Sequence, residues 1–208
     1  MRRWLLSIVV VFGLGGAAPV VAGEVSATGS PAAKPAAGAT EFDAQRNAAL
    51  GAIQALGKEL KAALQSAVRA GGAVGALGVC NEKAPAITAR VSAEQGLRVG
   101  RTSLRPRNPE NAPTLWQKRV LEEFETRLRA GEDPAALTHG EVVTTATGRE
   151  YRFMKAIPTG MICLNCHGSN LDPEVQKKLN QLYPLDRATG FKEGDLRGAF
   201  VVTQRLAE

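Results

Sequence analysis

The run Cys163-Leu164-Asn165-Cys166-His167 carries the strongest chemical signal in the chain. Two thiols at i and i+3 face the same side of a helical turn, where they can form thioethers with the two vinyl groups of a haem. The next residue then places an imidazole under the iron as proximal ligand. Two other chemistries use the same residue types. One is a Cys-x-x-Cys redox pair, but no βαβ pattern flanks the motif. The other is a zinc site, which needs a fourth ligand beyond Cys163, Cys166 and His167; Cys80 or His139 could supply it. A histidine directly after the second cysteine is what haem attachment requires. The pentad therefore predicts a single, covalently attached haem c.

The second axial position has several candidates. Met161 lies two residues before the motif, too close to reach the opposite haem face. His139 stands in a polar stretch and reads as a surface histidine, and Met154 lies within a predicted strand, where it belongs to the core. Cys80 is the cysteine that the motif leaves over. A free thiol in an oxidising compartment needs a use or protection. Iron ligation is such a use, because a thiolate is a strong ligand for ferric haem. Cys80 is the leading candidate and His139 the next.

These residues must be held by a domain that the chain is long enough to build. Its 208 residues are 44% hydrophobic but only 5% aromatic, so a large flat apolar surface inside would come from a ligand. Three cysteines cannot form a disulfide framework. Residues 1–22 read as a secretory signal peptide: Arg2 and Arg3, then an apolar run from Leu5 to Leu14, then small residues up to a cut after Ala22. The alternative, an uncleaved anchor, is disfavoured by a short apolar run broken by Gly13, Gly15 and Gly16. Residues 23–40 are rich in Ala, Pro, Gly, Ser and Thr and read as a disordered tether. The net charge is +6, and loss of Arg2 and Arg3 leaves about +4. Export and mild basicity together argue against nucleic acid and for a soluble periplasmic protein.

Residues 41–208 then form the domain. Leu50, Ile53, Leu56, Leu60, Leu64 and Val68 recur at helical steps between Phe42 and Ala70, so an amphipathic helix is expected there, stopped by Gly71–Gly72. It reads first as a cover for a sheet and second as a dimerising or signalling helix. Cys80 follows the Gly-rich stretch Gly71–Gly78, where the backbone is expected to adjust cheaply. A helix from Pro85 to Glu94 and a strand from Leu97 to Leu104 come next. A third helix has Pro113 in its first turn, Leu115, Trp116, Val120, Phe124 and Leu128 on its apolar side, and Gly131 at its end. Glu141–Thr147 and Glu150–Ile157 read as a hairpin around Gly148, and Leu196–Gln204 as a last strand. Pro173, Pro184, Gly190, Gly194 and Gly198 forbid a long helix after the motif, which excludes a four-helix-bundle cytochrome. The expected class is α+β with a mainly antiparallel sheet.

Four blocks also resemble a family of exported bacterial single-haem proteins with a PAS-like haem domain, some of which are the periplasmic part of membrane-bound receptors. They are Val79–Pro85 (VCNEKAP), Arg101–Pro113 (RTSLRPRNPENAP), Met161–Gly168 (MICLNCHG) and Tyr183–Phe200 (YPLDRATGFKEGDLRGAF). The likeness spans roughly Ala73 to Ala199. It implies a PAS-like sheet with flanking helices. It also implies haem c attached at Cys163 and Cys166, with His167 on one face and Cys80 on the other.

Three functions fit such a protein. The first is a periplasmic redox or small-gas sensor, responding to carbon monoxide or nitric oxide in the ferrous state and speaking to a redox or signalling partner. The second is an electron carrier. The third, a haem enzyme, needs acid–base groups near the iron, and His139 is the one histidine besides His167.

Overall fold

The computed structural model describes residues 37–207. The segment in which the signal peptide and most of the tether are expected lies outside the described residues. Helix α1 runs Ala37–Gly78 and so begins ahead of Glu41. At the expected stop it kinks instead: Gly71 and Gly72 leave helical geometry, Gly72 with φ of 62°. A side chain would be strained at that angle, and glycine is not. The helix does not stop there, however. It resumes at Ala73, passes through a π-helical turn, Val79–Lys83, and continues as α2, Ala84–Gln95. The stretch expected to be pliable is therefore helical after the kink, because Val74, Ala76 and Leu77 find apolar partners there.

Four strands, β1 (Arg98–Thr102), β2 (Thr138–Thr145), β3 (Gly148–Pro158) and β4 (Leu196–Arg205), form an antiparallel sheet in the order β1-β4-β3-β2. The β2–β3 hairpin turns at Ala146–Thr147, so Gly148 opens β3 rather than centring the turn. Strand β2 starts earlier than the sequence pattern shows and takes in His139, opposite Met154. Strand β3 buries both its faces. Tyr151 and Phe153 join Ala52, Ile53 and Leu56 of α1, whereas Met154 and Ala156 meet α3 (Leu115–Arg129) through Val120, Leu121 and Phe124. Alternation along one strand thus holds helices on both faces of the sheet. The fold is α+β, a PAS-like antiparallel sheet with flanking helices and an amphipathic N-terminal helix.

Helix α3 differs in detail from its sequence pattern. Pro113 precedes the cap Thr114, so the helix begins at Leu115 and turns that side chain out to 91% exposure. Leu121 takes the buried place instead. A fifth helix, α5 (Pro173–Leu182), was not expected. Pro173 stands at its start, where proline's missing N–H costs nothing, and Asp172 caps it by accepting from the Glu174 backbone N–H at 2.8 Å. Among the described residues no helix is long and apolar enough to cross a membrane.

Candidate cofactor site

The Cys-x-x-Cys-His run leaves β3 through a 3-10 turn, Met161–Cys163, and enters a single helical turn, α4, Leu164–His167. Gly168 closes it. A Cβ at that position would lie 2.6 Å from the Leu164 carbonyl oxygen, which is closer than carbon and oxygen tolerate. The turn is then tied to the segment before β4: Gly190 N–H donates to the Gly168 carbonyl, and Phe191 N–H to the His167 carbonyl, both at 2.9 Å. Behind it, Cys166 packs against Leu77 of α1 and Val175 and Leu179 of α5. The motif is therefore clamped between two helices and a loop.

Cys80, Cys163, Cys166 and His167 line one cavity of about 290 Å³, together with Arg101, Arg107 and Arg197. Its apolar walls come from both arms of the kinked α1, Leu64 and Val68 before the bend and Ala76 and Leu77 after it, and from Ile157 and Ile162. The kink at Gly71–Gly72 is thus what folds α1 over the cavity, and the π-helical turn brings in Cys80. The other candidate ligands lie elsewhere. His139 stands on β2, 3.8 Å from carboxylates of Glu123 and Glu141; Met154 is fully buried against α3; Met161 is mostly exposed.

The lining suits a large, mostly apolar group better than a bare metal ion. Among the described residues no three His, Cys, Asp or Glu side chains converge on a point that could hold a metal. The four residues surround a cavity rather than close on a centre, which a tetrahedral zinc site requires. A mostly apolar slot, two thiols on one turn and an imidazole beside them are what a covalently held haem needs.

The electrostatics support the same use. His167 Nδ1 lies 2.6 Å from the Ala188 carbonyl oxygen. A carbonyl only accepts, so Nδ1 carries the proton and Nε2 keeps its lone pair free for a metal. Burial, with help from Arg197 and Arg107, pushes the His167 pKa down to about 2, so the ring is neutral. Cys80 is solvent-exposed and lines the cavity. Enough protein surrounds its thiol for desolvation to raise the pKa, against the pull of Arg101, Arg107 and Arg197. Arg107 forms a buried ion pair with Asp186 at 3.0 Å and donates to the carbonyls of Cys166 at 2.5 Å and Ala188 at 3.2 Å. Burial and two neighbouring arginines push Arg197 down to about 10, which leaves it charged at neutral pH. Sequence reasoning missed these arginines, although all three lie in the blocks that carry the family resemblance.

The profile of the Tll0287-like family matches residues 34–205. Among solved structures, that of the cyanobacterial heme-protein Tll0287 shares 26% identity at a TM-score of 0.48, over 61% of this chain and 71% of that one. None of the curated proteins matches the chain.

Proposed function

The chain belongs to the Tll0287-like family, and from that premise we propose that it is an exported c-type haem protein of the periplasm that senses redox state or a small gas. Cys163 and Cys166 would attach a single haem, and His167 and Cys80 would hold its iron. One observation carries the reading: a single cavity joins Cys80 to the Cys-x-x-Cys-His run, although the two lie far apart in sequence. A haem in that cavity supplies a one-electron couple and, where an axial ligand leaves, a site for carbon monoxide or nitric oxide.

The two axial residues have different freedom. His167 is held by its bond to Ala188 and by a turn tied down at Gly168. Cys80 sits on a π-helical turn, a feature frequent at functional sites, just beyond the arm of α1 that follows the kink. Cys80, the freer of the two residues, would be the one to loosen on reduction, carrying with it the turn Val79–Lys83 between α1 and α2. A ligand change at the cavity becomes a helix movement, as a sensor requires.

Gas binding tests this. The ferrous protein should bind carbon monoxide and the ferric protein should not. A ferrous form that keeps Cys80 and refuses both carbon monoxide and nitric oxide sinks the gas-sensor reading. The electron carrier would then lead, and it has an observation of its own. Met161 and Ile162, 66% and 57% exposed, form an apolar edge beside Cys163 where a redox partner could dock. Sequencing the mature N-terminus from a periplasmic extract tests export; it should begin after Ala22.

A further inference from the structure

The cavity holds more positive charge than its protein partners neutralise. Of its three arginines, Arg107 is paired with Asp186 through Nε and donates to two carbonyls through Nη2. Arg197 reaches Ser103 Oγ at 3.3 Å and the Arg105 carbonyl at 3.5 Å through one terminal nitrogen, while its Nε is buried without a hydrogen-bond partner. Arg101 has no side-chain hydrogen bond and no carboxylate partner among the described residues; burial disfavours its charge, and Cys80 and Tyr183 are the groups that offset this. Three guanidiniums against one carboxylate leave an excess of two positive charges. Unpaired charge removed from water costs several kcal/mol per group. A cavity built this way is completed by a ligand that brings two negative charges. Guanidinium forks match carboxylates in particular, because two parallel N–H donors meet two oxygens.

We propose that Arg101 and Arg197 are the docking points for the two propionate carboxylates of the haem. This rests on the haem reading above and adds a polarity to it: the arginine side of the cavity takes the acidic edge of the ring, and Leu64, Val68 and Leu77 take its apolar body. The two propionates would match the two uncompensated guanidiniums one for one, which leaves the Cys80 thiolate to offset the single net charge of a ferric haem core. Arg107 is set apart from those two arginines because Asp186 already neutralises its charge and its Nη2 holds the carbonyls of Cys166 and of Ala188, the residue that orients His167.

The test uses the haem-loaded protein and its Arg101→Gln, Arg197→Gln and double variants. Arg105→Gln serves as control, since Arg105 stacks over Phe191 at 4.1 Å and does not line this cavity. Resonance Raman spectroscopy reads the propionate bending bands directly. Each single variant should shift one band and the double variant both, with Arg→Lys variants shifting them less and the control not at all. Unmoved bands in the double variant overturn the proposal. A wild-type protein that shows no haem absorption when purified in its native state overturns the haem reading itself, and the two failures cannot be confused.

Discussion

His139 and His167 stand in regions built in opposite ways. Around His139 the neighbours are carboxylates, Glu123 and Glu141, each 3.8 Å away, which is too long for a hydrogen bond. Arg119 and Arg152 lie within 4.0 Å of Glu141 as well, so the charges there are shared loosely across the outer edge of the sheet. Around His167 the neighbours are arginines, and one short bond fixes the ring's tautomer. The first arrangement tolerates the loss of a member, because no single contact holds the others. The second is a chain: Asp186 holds Arg107 and Ala188 N–H, Ala188 holds His167, and Arg107 holds the carbonyl of Cys166. The difference separates a surface that merely balances charge from a site whose parts must keep their positions.

The largest break in this comparison should come at the cysteines of the motif. Replacing both Cys163 and Cys166 by Ala should abolish covalent haem, seen as loss of haem staining on denaturing gels; either single change should weaken it. Loss of the stain from the wild-type protein on acid-acetone extraction would count against covalent attachment. Next comes Cys80→Ala. If Cys80 is the sixth ligand, the ferric protein should turn from low-spin to high-spin and its midpoint potential should rise, because a thiolate stabilises the ferric state. A wild-type potential already as positive as that of a His/Met cytochrome would contradict thiolate ligation.

A stability effect of the same rank is expected at Asp186. Both side chains of its pair with Arg107 are about one-tenth exposed, at 10% and 9%. Asp186→Ala leaves the guanidinium buried and uncompensated and should cost about 3–5 kcal/mol in denaturant unfolding. It also frees Ala188, so the haem spectrum should broaden as His167 loses its fixed orientation. The equivalent truncation at the other histidine, Glu123→Ala, should cost less than about 1 kcal/mol.

How much of this could be read from residues alone differs between the two regions. The pentad names its own chemistry, since its spacing is the spacing of one helical turn. The leading place of Cys80 rests on counting: one cysteine is left over by the motif, and in an oxidising compartment such a thiol would need a use. The sheet and the two-sided burial of β3 were partly legible from Tyr151, Phe153 and Met154. What could not be read was tertiary. Arg101, Arg107 and Arg197 come from β1, a loop and β4, and nothing in a charge run says that three guanidiniums will share one cavity. Helix α5 was hidden because Pro173 reads as a breaker unless Asp172 is recognised as its cap. Leu115 and Leu121 exchanged roles because the start of α3 fixes its rotation, and Pro113 lies one step outside it.

A smaller effect should appear in the acid range. Without haem, the folded chain keeps His167 neutral down to about pH 2, while the unfolded chain protonates it near 6.5. As the pH falls below 6.5 the unfolded state binds the extra proton, so the stability contributed by a neutral His167 is complete above that pH and is lost towards 2. Unfolding of the haem-free chain at several pH values should therefore show a slope that His167→Gln removes. Identical slopes in the two proteins would mean that the ring is not held neutral.

The smallest effect belongs to His139→Gln. Its side chain is 24% exposed, Nε2 has no hydrogen-bond partner, and both of its carboxylate neighbours are beyond bonding distance. Glu141 keeps Arg119 and Arg152, and Glu123 keeps Arg127. Loosely shared charges of this kind are worth about 0–1 kcal/mol per pair. The variant should unfold within about 0.5 kcal/mol of wild type and leave the ferric spectrum unchanged. The spectrum is the more informative measurement, because His139 was the second candidate for the sixth position. A His139→Gln protein that turns high-spin, beside a Cys80→Ala protein that does not, would move the ligand role to His139. It would also require β2 to leave the position opposite Met154 that the sheet gives it.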